Sequence, residues 1–521
     1  VSQARAAGLA VELSQVVLPR DYPGLYAPDR PALRFREWSW TYGELDRAID
    51  GMVSVFREAG AAPGARVAYF GKNYDLFFIV LFAVMRGGMV LVPVNWRNTA
   101  VETRFVLEDS GAGLVLADAE FLPLLRDAGA EAGAIITVDD RGPQGLRARI
   151  AAAAPAPREH RDPHAPMLQL YTSGTTGKPK GVLTSEFALG AQRYVEVVSP
   201  GFDDWQADEI LLSALPSFHI GGMSWVLCGH SRGHEVVLTA DASPGNIVDL
   251  CLAHGITRNF IVPTLVRAVM EEMQRREISL PALRGINYGA AAMDAPFLRR
   301  AVEYLGCKFL QYYGMTEATG TISLLEPRDH DVTRPHLLRS VGRPLPGYVI
   351  EIRGPAGELL ETGQPGEIWV TGPGVMLEYW NRPQANAEAL VEGWYRSGDG
   401  GLLDEEGYLF LTDRIKDMIV SGGENVYPAE VEAVLRDHPA VQDVAVFGLP
   451  HEKWGEGVAA AVELRPGKEI TAAELIDYAR QSLAAYKVPR RIELGVTLPR
   501  TAAGKIQRGA VRQRYLAEAG K

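Results

Sequence analysis

The 521-residue chain predicts an α/β protein, with a large N-terminal domain of parallel βα units and a small α+β domain at the C-terminal end. Three observations point that way. Short apolar runs alternate with amphipathic stretches between residues 41 and 138, which is how βα units build a parallel sheet. Near residue 340 the texture changes to short strands separated by Gly/Pro turns. The length also exceeds the roughly 250–300 residues at which a single hydrophobic core stops growing, so more than one compact unit is required.

Thr41 and Glu44 form a capping-box pattern ahead of Leu45, Ala48, Ile49, Met52, Val53 and Phe56 at helical spacing, with Gly60 as the stop. A strand is predicted over 66–70, a helix over 74–86 and an apolar strand over 89–94. Further strands follow at 114–117 and 135–138. The turns VGRPLPG (341–347), GPAGELL (354–360) and GQPGEIWVTGPG (363–374) mark a β-rich subdomain. From Asp413 onward the chain mixes a strand at 418–420, a helix opened by Pro428, strands at 441–447 and 458–464, and a second capping box, Thr471 with Glu474. These readings divide the chain into residues 1–413 and 414–521, joined at the charged segment DRIKD.

Hydrophobic residues make up 47% and charged residues 22%, an ordinary globular composition. A formal charge of −11 with no dense basic run argues against nucleic acid as a partner. Cys228, Cys251 and Cys307 lack metal-ligand spacing and read as buried small hydrophobes in a reducing compartment. The N-terminal segment lacks the apolar h-region of a secretory signal, and the longest apolar stretch, 76–84, is too short to span a bilayer. A cytoplasmic protein without an integral membrane segment is expected.

The segment YTSGTTGKPKG, residues 171–181, is the strongest chemical signal. Gly174 and Gly177 expose backbone amides to an anion, Thr172, Ser173, Thr175 and Thr176 add donors, and Lys178 and Lys180 supply countercharge. Only two residues separate the glycines and Pro179 follows Lys178, so this is not a Walker A loop. It predicts a loop that clamps a polyphosphate such as ATP.

Four more motifs lie far apart. In YGAAA, Tyr288 precedes Gly289, Ala290 and Ala291, small residues that let a flat adenine approach the backbone. In YGMTE, Tyr313 offers a stacking face beside Gly314, Thr316 a hydroxyl for phosphate, and Glu317 a carboxylate suited to magnesium. GWYRSGDG carries Asp399, a carboxylate suited to ribose hydroxyls, with Arg414 15 residues later. TAAGKI places Lys505 on a small-residue loop.

In this order and spacing the set resembles the adenylate-forming (AMP-dependent synthetase and ligase) superfamily, in its branch of acyl-CoA synthetases acting on fatty or aryl acids, over nearly the whole chain. The resemblance implies parallel sheets and a β-barrel subdomain in the large domain, and a mobile C-terminal domain with its hinge at Lys416. It implies that the 172–180 loop holds the β and γ phosphates and that Gly289, Ala290, Ala291 and Tyr313 contact adenine. Thr316 and Glu317 would serve the α phosphate and Mg2+, Asp399 and Arg414 would bind ribose, and Lys505 would be the adenylation lysine. Thr316, Glu317 and Lys505 are thus the implied catalytic set. No G-x-S-x-G nucleophile motif is present, in keeping with a reaction through an acyl-adenylate.

The same resemblance gives Ser421, Gly422 and Gly423 to the pantetheine tunnel and Trp454 and Tyr486 to aromatic contacts with CoA. The acid is read from LPSFHIGGM. His219 stands where amino-acid-activating relatives carry aspartate, which argues against an α-amino acid, and His219, Ile220 and Gly221 are assigned to the acyl group. Tyr288 and Tyr312 are expected to shorten or polarise that pocket, while Gly221 and Gly222 make room. A medium-chain, aromatic or cyclic carboxylic acid is therefore expected, joined to CoA with release of AMP and pyrophosphate. Two alternatives stand beside this: an adenylating enzyme serving a carrier protein or other acceptor, and a non-catalytic nucleotide-binding protein of the same fold. A homodimer is the assembly considered.

Overall fold

A computed structural model describes residues 13–130, 135–138, 141–156, 158, 161–172, 179–289, 293, 295–331, 333–414, 419–421, 424–426, 428–451, 455–483, 485–500 and 506–519. The chain forms two compact units, residues 1–349 with 370–395, and residues 350–369 with 396–521. The chain passes between them within the strands Val349–Arg353, Gly366–Thr371 and Trp394–Leu403, upstream of the joint read at Asp413.

The first unit contains two large sheets. One runs Glu378–Tyr379, Lys180–Ser185, Pro166–Thr172, Val90–Val94, Arg66–Phe70, Leu114–Ala117, Ile135–Thr137 in spatial order, and its inner strands pair in parallel. The predicted strands at 66–70, 89–94, 114–117 and 135–138 appear here to within a residue. The other sheet has nine strands. Its centre is the parallel set Lys308–Met315, Gly285–Gly289, Arg258–Ile261, Ile210–Ser213, Glu235–Leu238, and Gly320–Leu325 folds back antiparallel on Lys308–Met315.

Local sequence explains the helices. The Glu44 amide bonds Thr41 Oγ1 at 3.3 Å and the Thr41 amide bonds Glu44 Oε2 at 2.9 Å, so the capping box starts the helix Tyr42–Glu58. Thr471 and Glu474 do the same for Ala472–Arg480. The apolar stretch at 76–84 lies in the helix Asp75–Arg86, every residue of which is buried. Even Arg86 is 1% exposed, held by Asp46, Asp50 and the Arg20 carbonyl. Among the described residues no helix is long and apolar enough to cross a membrane.

In the second unit the β-rich texture becomes a five-stranded sheet that includes Val349–Arg353, Gly366–Thr371, Trp394–Leu403 and Leu409–Arg414. A separate sheet orders Glu424–Val426, Ile419–Ser421, Gly455–Leu464, Val441–His451, with Arg491–Leu494 parallel to Gly455–Leu464. Helices Pro428–Arg436 and Ala472–Arg480 bury Val431, Leu435, Leu475 and Ala479 in a core with Val444, Val446, Val458 and Val462 of that sheet. Cys228 and Cys251 are buried and Cys307 half-buried, all three unpaired thiols; burial pushes each up to about 12, so none is a thiolate at neutral pH.

Candidate active site

The phosphate-binding signal of the sequence sits on an antiparallel hairpin. Pro166–Thr172 pairs with Lys180–Ser185, and Thr172 and Lys180 are direct partners at its mouth. Ser173, Gly174, Thr175, Thr176, Gly177 and Lys178 lie outside the described residues. The stem is braced on both sides. Tyr171 donates to Asp109 Oδ2 at 2.8 Å, the same carboxylate pairs with Arg382 at 2.6 Å, and the Trp380 indole donates to the Asp109 carbonyl at 2.9 Å.

Glu317 meets this stem from 145 residues away in sequence. It sits in the 3-10 turn Thr316–Ala318, after the long strand Lys308–Met315 and before Thr319, whose φ of 57° turns the chain back. Thr172 Oγ1 donates to Glu317 Oε1 at 3.4 Å, and the Tyr379 hydroxyl donates to the same oxygen at 3.0 Å. The Lys180 ammonium lies 4.8 Å from the Tyr379 ring centroid, and the Tyr395 hydroxyl is 3.4 Å from that of Tyr379. The cluster thus joins an ammonium, a carboxylate and three hydroxyls. Among the described residues no group of three or more His, Cys, Asp or Glu side chains could hold a metal. A cation here would rest on one carboxylate plus oxygens of a bound phosphate and water, the habit of Mg2+ and not of a metal caged by protein. The Glu317 carboxylate, with the hydroxyls of Thr172 and Tyr379 on one of its oxygens, fits that group.

Gly289, Tyr313 and Gly314 come together at the C-terminal ends of neighbouring parallel strands, where α/β sheets take ligands. A Cβ at Gly289 would lie 2.7 Å from the Tyr312 carbonyl oxygen, and one at Gly314 only 1.9 Å from the Gly320 carbonyl oxygen. Glycine is therefore demanded by backbone approach at both positions. Ala290 and Ala291 lie outside the described residues.

Strand alternation separates the two phenols assigned to the acyl group. Tyr312 is the Cα partner of Gly289, and its hydroxyl accepts from Asn287 Nδ2 at 2.6 Å, so Asn287, Gly289 and Tyr312 share one face of the sheet. Tyr288 points to the other face. It is 0% exposed among Ile261, Val266, Met293, Phe297 and Phe309, with its hydroxyl bonded to Gln311 at 3.0 Å and 3.1 Å from His330 Nε2. Tyr288 is a core residue, which corrects the acyl-pocket reading for it. The expectation for Gly222 is corrected too: it is buried, and a Cβ there would lie 2.4 Å from the Pro216 carbonyl oxygen, so it accommodates backbone and not ligand. Gly221 opens instead on Phe260, 3.5 Å from a Cβ position.

Phe260 forms an edge contact with Tyr312 at 5.1 Å and packs against Trp225 at 5.7 Å, giving an aromatic wall that sequence reading missed. Tyr312 alone of the three was signalled by a motif; Trp225 and Phe260 lie in segments whose aromatics are indistinguishable from core residues in sequence. His219 caps the helix Ile220–Ser231, with Ile220 half-buried beside it. The imidazole lies tilted against the Phe218 ring, 4.4 Å between centroids, and Nε2 is buried without a hydrogen-bond partner. Burial, helped by the Arg97 charge, brings His219 down to about 4. It is neutral at neutral pH, in keeping with a shaping role beside a carboxylate and not with a cationic clamp.

In the second unit Asp399 and Arg414 are Cα partners across an antiparallel pair, with a register shift between Asp399 and Gly401. Gly398 has φ of 70°, and Ser397 Oγ accepts from the Asp399 amide at 3.0 Å while donating to the Ile368 carbonyl at 2.7 Å. The Ser397 hydroxyl thus fixes the turn that carries Asp399. Ser421 is 1% exposed, opposite Gly455 in the C-terminal sheet. Tyr486 is half-buried against that unit's core, with the Lys487 ammonium 5.7 Å from its ring. Lys416, Gly422, Gly423, Trp454 and Lys505 lie outside the described residues.

Comparison with known proteins agrees with this geometry. The sequence model of the AMP-binding enzyme family matches residues 25–380, and that of the AMP-binding enzyme C-terminal domain matches residues 430–505. A fatty acid–acyl-carrier-protein ligase, ScoC, of Streptomyces coeruleorubidus is 36% identical over 98% of both chains. A feruloyl-CoA synthase of an Amycolatopsis species is 36% identical over 94% of this chain and 96% of its own. The solved structure of o-succinylbenzoate CoA synthetase (MenE) from Bacillus subtilis, in complex with its acyl-adenylate intermediate, superposes with a TM-score of 0.84 at 32% identity, covering 95% of this chain and 97% of the other. The chain belongs to the AMP-binding enzyme family, in the acyl-CoA synthetase branch of the adenylate-forming superfamily.

Proposed function

We propose that the protein is an AMP-forming acid:CoA ligase whose substrate is a compact aromatic, cyclic or medium-chain carboxylic acid. The observation that carries the ATP site is the meeting of Thr172, Lys180 and Glu317 at the mouth of the hairpin. The carboxylate oxygen of the acid attacks the α-phosphorus of ATP, an acyl-phosphate bond forms and the bond to pyrophosphate breaks. A thiol then attacks the acyl carbonyl and AMP leaves. Both reactants of the first step are anions, so positive charge must be present where the transition state gathers negative charge. Lys180 and the hydroxyl of Thr172 serve the phosphates, Thr316 the α phosphate, Gly289, Tyr313 and Gly314 the adenine, Asp399 and Arg414 the ribose, and Lys505 the reacting phosphorus. Glu317 would hold Mg2+, which lends positive charge to the phosphates.

Tyr312 supports the compact acid. Its phenol is pinned by Asn287 and flanked by Phe260, so the face that Gly221 opens ends at a wall of rings. Tyr312→Ala is expected to move the preference toward longer acids, raising kcat/KM for a C12 over a C6 acid about tenfold, within the 1–3 kcal/mol that hydrophobic pocket changes supply. An unchanged ratio removes Tyr312 from the pocket.

The test of the reaction is incubation with ATP, Mg2+, CoA and a panel of fatty, aryl and cyclic acids, with nucleotides and thioesters separated by mass. Acid-dependent AMP with matching acyl-CoA is the expected result; ADP, or no turnover with any acid, overturns it. A second reading, transfer to a carrier-protein thiol, is favoured by the end-to-end similarity to the acyl-carrier-protein ligase. AMP and pyrophosphate without CoA thioester would select it.

A further inference from the structure

Tyr379 belongs to none of the motifs legible in the sequence, yet it touches both charged groups of the hairpin mouth. Its hydroxyl donates to Glu317 Oε1 at 3.0 Å, and its ring carries the Lys180 ammonium at 4.8 Å from the centroid. We propose that Tyr379 is the positioning residue of this site: it fixes the Glu317 carboxylate for a divalent cation through its hydroxyl and sets Lys180 beside the nucleotide phosphates through its ring. The proposal rests on the ATP-binding reading of Thr172, Lys180 and Glu317.

The backbone makes Tyr379 a rigid support. Glu378 and Tyr379 form a two-residue strand on the outer edge of the hairpin, in register with Leu183 and Val182. The Leu377 amide bonds the Leu183 carbonyl at 2.9 Å, the Trp380 amide bonds the Gly181 carbonyl at 2.7 Å, and the Met376 amide bonds the Glu317 carbonyl at 2.8 Å. This strap therefore ties the hairpin to the turn that carries Glu317. Because Tyr379 lies opposite Val182, its diagonal neighbour on the same face is Lys180, two residues earlier, which is why ring and ammonium meet. The ring is 5% exposed, so the phenol has little freedom to leave.

The chemistry of the contact suits the task. Glutamate has three rotatable bonds, and an unsupported carboxylate near cationic side chains would visit many orientations. A phenol is a neutral donor, so it orients the carboxylate while leaving its charge available for a cation, whereas an arginine in its place would neutralise it. The donors Thr172 and Tyr379 converge on one oxygen, Oε1, which sets the plane of the carboxylate. Tyr395, 3.4 Å from the Tyr379 hydroxyl, limits its rotation.

Two substitutions separate the two contacts. Tyr379→Phe keeps the packed ring beneath Lys180 and removes only the hydroxyl; Tyr379→Leu removes both. The full chain is titrated with Mn2+ in the presence of α,β-methylene ATP, with free Mn2+ read by electron paramagnetic resonance, and the affinity for the analogue is measured separately in excess Mg2+. Tyr379→Phe is expected to weaken Mn2+ about tenfold, the lower end of the range for a lost partner of a metal ligand, with analogue affinity in excess Mg2+ changed less than about twofold. Tyr379→Leu should weaken both. Glu317→Gln is run in parallel, and all titrations are made below the melting temperature of each variant. Mn2+ affinity unchanged in Tyr379→Phe but reduced in Glu317→Gln overturns this proposal alone. Affinity unchanged in Glu317→Gln overturns the metal role of Glu317 and the proposal with it.

Discussion

Replacing Lys505 with alanine is expected to lower acyl-adenylate formation by about 10²–10³-fold, the usual loss when one electrostatic stabiliser of a developing anion is removed. The same variant should still convert a synthetic acyl-adenylate and CoA to the thioester at close to the parental rate. The two halves of the reaction differ in where charge develops. In the first, a carboxylate approaches a polyphosphate and negative charge gathers at the α-phosphorus, so a cation there lowers the barrier. In the second, a thiol attacks a carbonyl and negative charge develops at the carbonyl oxygen and the leaving phosphate oxygen, and Lys505 is proposed to act only in the conformation that serves the first step. The measurement is a pair of single-turnover assays, one following acid-dependent pyrophosphate release and the other following thioester formation from the isolated adenylate. Equal loss in both would show that Lys505 supports the fold or general nucleotide binding, and would withdraw its assignment to the first step.

Gly314→Ala is expected to be the most damaging single-methyl change near the nucleotide. A Cβ at this position would lie 1.9 Å from the carbonyl oxygen of Gly320, 2.6 Å from its carbonyl carbon and 2.7 Å from Thr321 Cα, all of them backbone atoms of the adjoining antiparallel strand. A flexible side chain could swing away, but a paired strand cannot. The strands Lys308–Met315 and Gly320–Leu325 must separate, and they carry Tyr313 on one side of the pairing and flank the Glu317 turn. Overpacking of this kind costs about 1–3 kcal/mol or more, and the upper end is expected here. Nucleotide affinity should fall with it because the displaced strand carries Tyr313, the proposed adenine contact. Gly221→Ala is the matched control: its Cβ would meet the Phe260 ring at an ordinary 3.5 Å, so stability should change by less than about 0.5 kcal/mol. Thermal melting and calorimetric titration with ATP check both. Parental stability and affinity in Gly314→Ala would mean that the two strands part without cost.

Much of the unit architecture is readable in the linear chain because its determinants are local. A capping box needs residues three apart, as with Thr41 and Glu44 or Thr471 and Glu474, and a buried strand such as Leu114–Ala117 needs only a short apolar run between turns. The glycines of the nucleotide motifs are readable for the same reason, although why each is glycine becomes clear only from what faces it: the Tyr312 carbonyl for Gly289 and the Gly320 carbonyl for Gly314. The strands through which the chain passes between the compact units are not marked as boundaries in the linear sequence. The charged segment DRIKD is conspicuous in sequence, whereas a crossing inside a paired strand depends on what that strand packs against.

The sequence by itself determined the family, the ATP chemistry and the kinds of residue that carry it, because a phosphate needs glycines, hydroxyls and lysines in one continuous loop and those are adjacent in the chain. The tertiary structure alone decided how two neighbouring phenols are placed, since strand alternation sends Tyr288 into the core and Tyr312 to the other face, and a side chain's face depends on a register no pentapeptide contains. It alone joined Tyr379 to Glu317 across 62 residues and Thr172 to Glu317 across 145. Those contacts arise where two strands and a turn end at the same place, a property of how the sheets are assembled and not of the residues on either side of each group.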